Sequence, residues 1–347
     1  MDIKSLKHKF ANKIKVNSRI IAKGQPVFVI AEAGVAHMGS FSKACKLVDL
    51  AKSSGASAVK FQIFKTSALV SGDSSSWRKR LASKELAYED FYKIRDYCSK
   101  KRITFLATAH DLPSLSFLDK LGVSAYKIGS GEVGNLEFIR NVASRKKPLF
   151  LSTGMYTKAD IYKALSVIAA AGNKEVIVLH CVTQYPTPPE DVNLKAIQTI
   201  NQEFGVLTGY SDHTQGFHFP IAAVALGACV IEKHISLDFN IAGAQDWKVS
   251  CGQKDMADMV KAIIQVKSGI GDGRKCLSRG EKSSLLWARK SLTASCDILK
   301  GDIISRDKVC LKRPGSGIEP EKLNKVIGKK AVCSIKKDKL IKWEQLR

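Results

Sequence analysis

The chain is short of aromatic residues and of negative charge. Aromatics make up 7% of its 347 residues, and 32 Asp and Glu face 56 Lys and Arg, a formal charge of +24. No uninterrupted apolar run reaches the roughly 20 residues that a membrane-spanning helix needs, which argues against a membrane protein. The basic start, MDIKSLKHKFANKIKVNSR, lacks the apolar centre of a secretory signal, so a cytoplasmic protein is expected. The nine cysteines include no CxxC pair and no Cys/His ligand spacing. That excludes a zinc finger and favours reduced thiols over a disulfide scaffold. The basic excess is strongest in residues 1–23 and after Gly273, yet no RNP-like aromatic motif or long amphipathic basic helix accompanies it. It reads as a solvated, Lys-rich surface that can attract an anionic substrate, and no nucleic-acid partner is expected.

What is present is apolar residue in quantity, 45% of the chain, enough to bury a large core and to exclude disorder. At about 150 residues per domain the length suggests two domains, although one α/β barrel can use about 250. Short Val- and Ile-rich runs alternate with longer helical patterns. The strands expected are VFVIA (27–31), SAVKF (57–61), ITFLA (103–107), AYKI (125–128), PLFLS (148–152), EVIVLH (175–180), GVLTGY (205–210) and ACVIE (228–232). SKACKLVDLAKSSG (42–55) and KADIYKALSVIAAAG (158–172) read as helices, each ending in a glycine suited to the position just past a helix. Eight strands in βα alternation predict an α/β fold, a closed (β/α)8 TIM barrel over residues 1–275. A polar connector over 276–290 then leads to a β-rich domain over 291–347, where SLTAS, KVCLK and KAVCSI are separated by Gly and Pro turns. Alone that domain is small for independent stability, so it is expected to pack on the barrel or on a partner subunit.

The C-terminal ends of barrel strands converge on one face, where active sites are built. Those ends carry Glu32, Lys60 with Gln62, Thr108, Lys127 with Ser130, Ser152-Thr153, His180, Ser211-Asp212-His213 and Glu232-Lys233-His234. A purely structural barrel needs no such ring of ionisable and hydroxyl groups.

IAEAGVAHMGS (30–40), AVKFQIF (58–64), YKIGSGE (126–132), LSTGM (151–155), LHCVTQYPTP (179–188), GYSDHT (209–214) and IEKHISLD (231–238) occur in this order. Together they resemble the sialic acid synthase family, which condenses phosphoenolpyruvate with an N-acetylated amino sugar. LKRPGSGI (311–318) is similar to the C-terminal antifreeze-like (SAF, β-clip) domain of that family. The resemblance covers nearly the whole chain. It implies that Lys60, Lys127, Ser130, Thr183 and Ser211 bind phosphoenolpyruvate, a donor whose phosphate and carboxylate call for cations and hydroxyl donors, and Thr108 joins them by its position at a strand end. His213 and His234 end adjacent strands and are the metal ligands it implies, for Mn²⁺ or else Mg²⁺ or Co²⁺, acting as a Lewis acid on the aldehyde. Glu32 is the acid/base candidate, alone or paired with Lys60 or Lys127. Gln62, Glu132, Tyr185, Asp246 and Arg313 are the expected sugar contacts. Arg313 matches an arginine that such enzymes insert from the partner, which implies a domain-swapped homodimer. Glu232 and Asp212 are expected to support the site without ligating metal, and His37 to line the pocket.

Three departures cluster at the expected sugar pocket. Ala36 stands where Asn is usual, A-T-A-H (107–110) where S-T-P and an aromatic are usual, and AGAQD (242–246) where P-G-P-D is usual. They put the acceptor in question and leave the chemistry in place: N-acetylneuraminate, legionaminate, pseudaminate or another nonulosonate is the expected product. An aldolase with a Schiff-base lysine, or a basic nucleic-acid-binding protein, are the alternatives of other kinds.

Overall fold

The computed structural model describes residues 6–241 and 244–347, so Ala242 and Gly243 of the AGAQD stretch lie outside it. The chain divides into two compact units, Met1–Ile270 and Gly271–Arg347.

The first unit is the expected barrel. Strands β3 (Phe28–Gly34), β4 (Ala58–Ile63), β5 (Thr104–Ala109), β6 (Tyr126–Ile128), β7 (Leu149–Ser152), β8 (Val176–Cys181), β9 (Leu207–Asp212) and β10 (Val230–His234) pair in parallel and close β10 onto β3. Helices α1 (Phe41–Ser53), α2 (Thr66–Leu69), α3 (Ser75–Ala82), α4 (Tyr88–Lys101), α5 (Leu112–Leu121), α6 (Leu136–Ala143), α7 (Lys158–Ala170), α8 (Ala196–Phe204), α9 (His218–Ala225) and α10 (Gln253–Gly269) lie between and after the strands. Gly55 and Gly172 take positive φ just past α1 and α7, the left-handed turn that glycine adopts without strain.

Successive side chains of a strand point to opposite faces, and this alternation sorts the whole unit. Val29 and Ala31, Val59 and Phe61, Leu149 and Leu151, and Val176 and Val178 pack outward in the layer shared with the helices. The intervening residues point to the axis. Phe28, Ile30, Ala58, Leu106, Phe150, Ile177, Leu179, Leu207 and Val230 fill the lower interior. Two residues further along each strand the inward positions become polar, so the apolar plug ends where the site begins.

An antiparallel hairpin absent from the sequence-based expectation closes the bottom. β1 (Lys13–Val16) pairs with β2 (Arg19–Ala22) and buries Ile14, Val16 and Ile21 against the lower interior. Its exposed positions are Lys13, Lys15, Arg19 and Ile20, so the basic N-terminal segment hides a largely amphipathic hairpin. Among the described residues no helix is long and apolar enough to cross a membrane.

The second unit opens with α11 (Arg279–Ala288), inside the stretch expected to be a connector. A capping box of Ser278 and Glu281 starts it. β11 (Ser291–Ala294) pairs antiparallel with β12 (Val309–Lys312), and α12 (Leu323–Val326) follows. Leu292, Ile298, Ile304, Val309, Ile335 and Ile341 form this unit's own core. KAVCSI makes only isolated bridges, Ala331 to Leu346 and Ile335 to Ile298, instead of a continuous strand.

Asp212 and Lys233 show how the barrel handles charge on its outward side. Both side chains are fully buried, with Nζ 2.6 Å from Oδ2, and Asp212 also accepts from the Tyr210 hydroxyl and the Thr214 amide. Removing one member of such a pair strands the other. Asp212→Ala is expected to lower unfolding free energy by about 3–5 kcal/mol in urea denaturation; a loss below about 1 kcal/mol would contradict this role.

Candidate active site

Inward residues at spacing two climb from the apolar plug to the site: Phe28–Ile30–Glu32, Ala58–Lys60–Gln62, Leu106–Thr108–His110 and Val230–Glu232–His234 are examples. The last members surround a cavity of about 160 Å³. Glu32, Lys60, Gln62, Thr108, Lys127 and Ser130 line it on one side of the chain order, and Thr183, Tyr185, Ser211, His213 and His234 complete it.

Four buried charges form its floor. Lys60 Nζ is 2.9 Å from Glu32 and 3.5 Å from Glu232, and Lys127 Nζ is 3.2 Å from Glu232. Thr108 accepts from Lys60 at 3.0 Å, Ser211 donates to Glu232 at 3.0 Å, and the Gln62 amide donates to Glu32 at 3.0 Å. Two carboxylates and two ammonium groups cancel, which is what makes their burial tolerable.

The four differ in how firmly they hold charge. Burial would raise Glu232, but Lys127 and Lys60 hold its carboxyl well below the usual carboxylate range. Burial raises Glu32; Lys60 and, more weakly, Lys127 only partly offset it, while Glu232 adds like-charge repulsion. Burial lowers Lys127; it would lower Lys60 as well, but Glu232 and Glu32 hold that ammonium above its ordinary value. Glu32 is therefore the carboxyl of this group that takes up a proton first.

Barrel order separates two walls. β4 to β8 supply Lys60, Thr108, Lys127, Ser130 and Thr183. β9, β10 and β3 supply His213, His234 and Glu32. The two imidazole rings are 5.4 Å apart between centroids. His213 Nδ1 lies 2.6 Å from the Val182 carbonyl, which must accept its proton, leaving the Nε2 lone pair to take the Tyr185 hydroxyl at 2.9 Å. Ser130 Oγ accepts from the Gly154 amide at 3.0 Å. A Cβ on Gly154 would sit 2.1 Å from Thr183 Oγ1 and 2.8 Å from Ser130 Oγ, so the LSTGM turn reaches the wall only as glycine.

Several expected residues lie elsewhere. Glu132 is half-buried outside the cavity lining, accepting from Asn135 at 2.7 Å. Asp246 also stays outside that lining, although Oδ2 comes within 3.8 Å of the place a Cβ on Gly34 would take. Arg313 belongs to the second unit, its guanidinium 5.9 Å from the Trp287 ring. His37 does not line the pocket. Its Nδ1 accepts from the Gly39 amide and its ring packs on Phe61, an outward residue, because position 37 falls after the strand has turned away. His180 also points outward, 2.7 Å from the Val192 carbonyl, and Cys181 takes the inward place.

Glu232 is more central than the sequence suggested, and Ser152, Cys181 and His110 join the lining without an assigned role. Period-two alternation from the apolar plug upward is the signal that would have found them.

A model of the NeuB family matches residues 47–275, and one of the SAF domain matches residues 289–347. An uncharacterised protein of Methanocaldococcus jannaschii is 40% identical, covering 96% of this chain and 98% of its own length. The N,N'-diacetyllegionaminic acid synthase of Campylobacter jejuni is 39% identical, covering 90% of this chain and 98% of its own. The crystal structure of the N-acetylneuraminic acid synthetase from Leptospira borgpetersenii, bound to citrate, superposes with a TM-score of 0.75 at 32% identity. It covers 80% of this chain and 96% of that one.

The charge assignment has a direct consequence for stability. Glu232→Gln leaves two buried ammonium groups against one carboxylate and is expected to cost about 3 kcal/mol or more, with Glu32→Gln costing less. A depressed carboxyl contributes above its unfolded value and loses that contribution as pH falls through the folded one. The gap between wild type and Glu232→Gln is thus full at neutral pH and shrinks below the ordinary carboxyl value of 4.5. Urea melts from pH 7 to pH 3 check this; equal losses for both variants would contradict it.

Proposed function

The chain belongs to the NeuB family and carries a C-terminal SAF domain, and on that premise we propose that it is a nonulosonate synthase. It condenses phosphoenolpyruvate with an N-acetylated amino sugar such as N-acetylmannosamine, and with water, to give a nine-carbon 2-keto acid and phosphate. The observation that carries this reading is the floor of Lys60, Lys127, Glu32 and Glu232 between a wall of hydroxyls and a pair of imidazoles.

The donor brings up to three negative charges. Lys60 and Lys127 take its anionic groups, and Thr108, Ser130, Thr183 and Ser211 add hydroxyl donors. That charge arrives beside Glu32, whose carboxyl burial already pushes up, and in this proposal Glu32 takes up a proton as the donor binds. C3 of the donor attacks the aldehyde carbon of the opened sugar, forming the new C–C bond. The aldehyde oxygen takes the proton of Glu32, and C2 acquires oxocarbenium character. Glu32, now a carboxylate held by Gln62, accepts a proton from the water that adds at C2. The tetrahedral intermediate then releases phosphate by C–O cleavage, the C2 hydroxyl passing its proton to the departing phosphate, and leaves the 2-keto group. The ammonium groups stabilise the departing charge.

His213 and His234 fit a divalent ion. The His213 tautomer puts a lone pair on Nε2, which would hold the ion in place of the Tyr185 hydroxyl, and the described residues offer no third His, Cys, Asp or Glu to complete a cluster, so water and substrate oxygens would complete the coordination. Such an ion, Mn²⁺ before Mg²⁺ or Co²⁺, supplies Lewis-acid polarisation of the aldehyde when bound. Gln62, Tyr185, Glu132 and Asp246 contact the sugar in this proposal. Arg313, from the partner in a domain-swapped homodimer, holds the N-acyl group. A cytoplasmic location is part of this proposal. A legionaminate-type product is the second reading, favoured by the Campylobacter jejuni relative.

Phosphate release from phosphoenolpyruvate with Mn²⁺, across a panel of N-acetylated amino sugars, tests the function. Release that needs a sugar and stops with EDTA is expected, whereas sugar-independent release or trapping by borohydride with pyruvate would overturn it. Glu32→Gln is expected to lower kcat by about 10²–10⁴-fold with a smaller change in the donor KM; an unchanged kcat would remove Glu32 from the proton path.

A further inference from the structure

The site holds one inward imidazole that neither metal binding nor the proton path uses. His110 follows Leu106 and Thr108 at spacing two and so points to the barrel axis just past the end of β5, where its amide still donates to the Ile63 carbonyl at 3.2 Å. Its ring lines the cavity, edge-on to Phe64 at 6.5 Å between centroids. Its Cε1 lies 3.5 Å from the place a Cβ on Gly129 would take, directly before Ser130. Its Nε2 is buried and has no hydrogen-bond partner in the protein. A buried polar nitrogen left unpaired costs free energy, and such a group in a binding cavity is explained when a ligand supplies the partner.

Its neighbours identify that ligand's chemistry. Along the barrel β5 carries His110, β6 carries Lys127, and β7 carries Ser152, whose Oγ is likewise buried and unpaired. The wall of β4 to β7 is thus cationic and rich in hydrogen-bond capacity, opposite the wall of His213 and His234. Burial, with the ammonium groups of Lys60 and Lys127, pushes His110 down to about 4, so the free ring is neutral and can donate from Nε2 without adding a third cation to the floor. An aromatic hydrocarbon at the same position would line the cavity but offer no hydrogen.

We propose that His110 is a further binding residue for the anionic donor, its Nε2–H donating to an oxygen of phosphoenolpyruvate. The proposal rests on the synthase reading given above. It makes the A-T-A-H departure at 107–110 an adjustment of the donor wall instead of the sugar pocket.

Calorimetric titration of the full-length protein with phosphoenolpyruvate and Mn²⁺, without sugar, tests it in wild type, His110→Phe and His110→Gln. His110→Phe keeps an aromatic volume and removes the nitrogen; His110→Gln keeps a donor. The expected result is a donor Kd weakened about tenfold or more in His110→Phe, largely recovered in His110→Gln, with the sugar KM unchanged in both. Wild-type affinity in His110→Phe, or a sugar KM raised in place of the donor Kd, would overturn the proposal. Equal losses in both variants together with a lowered Tm would overturn it too, since they denote packing. Wild type that fails to bind phosphoenolpyruvate would instead sink the synthase reading, and this inference with it.

Discussion

Four charges placed where water cannot reach them must cancel one another, and the upper half of the barrel is arranged around that requirement. Lys60, Lys127, Glu32 and Glu232 meet it as a set. Their neutrality is a property of the empty floor. An anion entering above it displaces the balance, and the group with the weakest hold on its charge gives way. Lys127 and Lys60 hold the Glu232 carboxyl down, whereas burial and the like charge of Glu232 push Glu32 up, so Glu32 is the group proposed to give way. On the proposed function, the same arrangement attracts the donor and readies an acid for the acceptor.

The alternation of the strands makes this possible. Each strand that ends at the site spends its lower inward positions on an apolar plug, continued below by the β1–β2 hairpin. Ionisable side chains above that plug stand on a rigid, dry base, so their separations are set by the barrel and not by their own flexibility. The outward positions are governed differently. Lys233 and Asp212, neighbours in sequence of the site residues His234 and His213, close on one another among the helices and take no part in the floor. Adjacent residues thus serve unrelated ends, and only the face they share decides which.

Much of this was legible in the sequence. The eight strands, the barrel and the small second domain follow from periodicity and ordered motifs, and most of the expected site residues converge on one cavity. The misses have physical causes. The short, Lys-rich β1 and the exposed Ile20 beside Ile21 in β2 mask the alternation that buries Ile14, Val16 and Ile21. Helix α11 is polar enough to read as a connector. His180 and His37 were expected near the chemistry because they sit in matched motifs, but their faces point away. Glu232 looked peripheral because a sequence does not reveal that two lysines from other strands arrive at one carboxylate.

The central claim is that an incoming anion shifts a proton onto Glu32. Calorimetry of phosphoenolpyruvate binding at pH 8, in two buffers of different ionisation enthalpy, counts the protons exchanged when the donor itself is fully ionised. The account predicts net proton uptake by wild type that is lost or greatly reduced in Glu32→Gln. Binding without uptake, or uptake of the same size in Glu32→Gln, would contradict it.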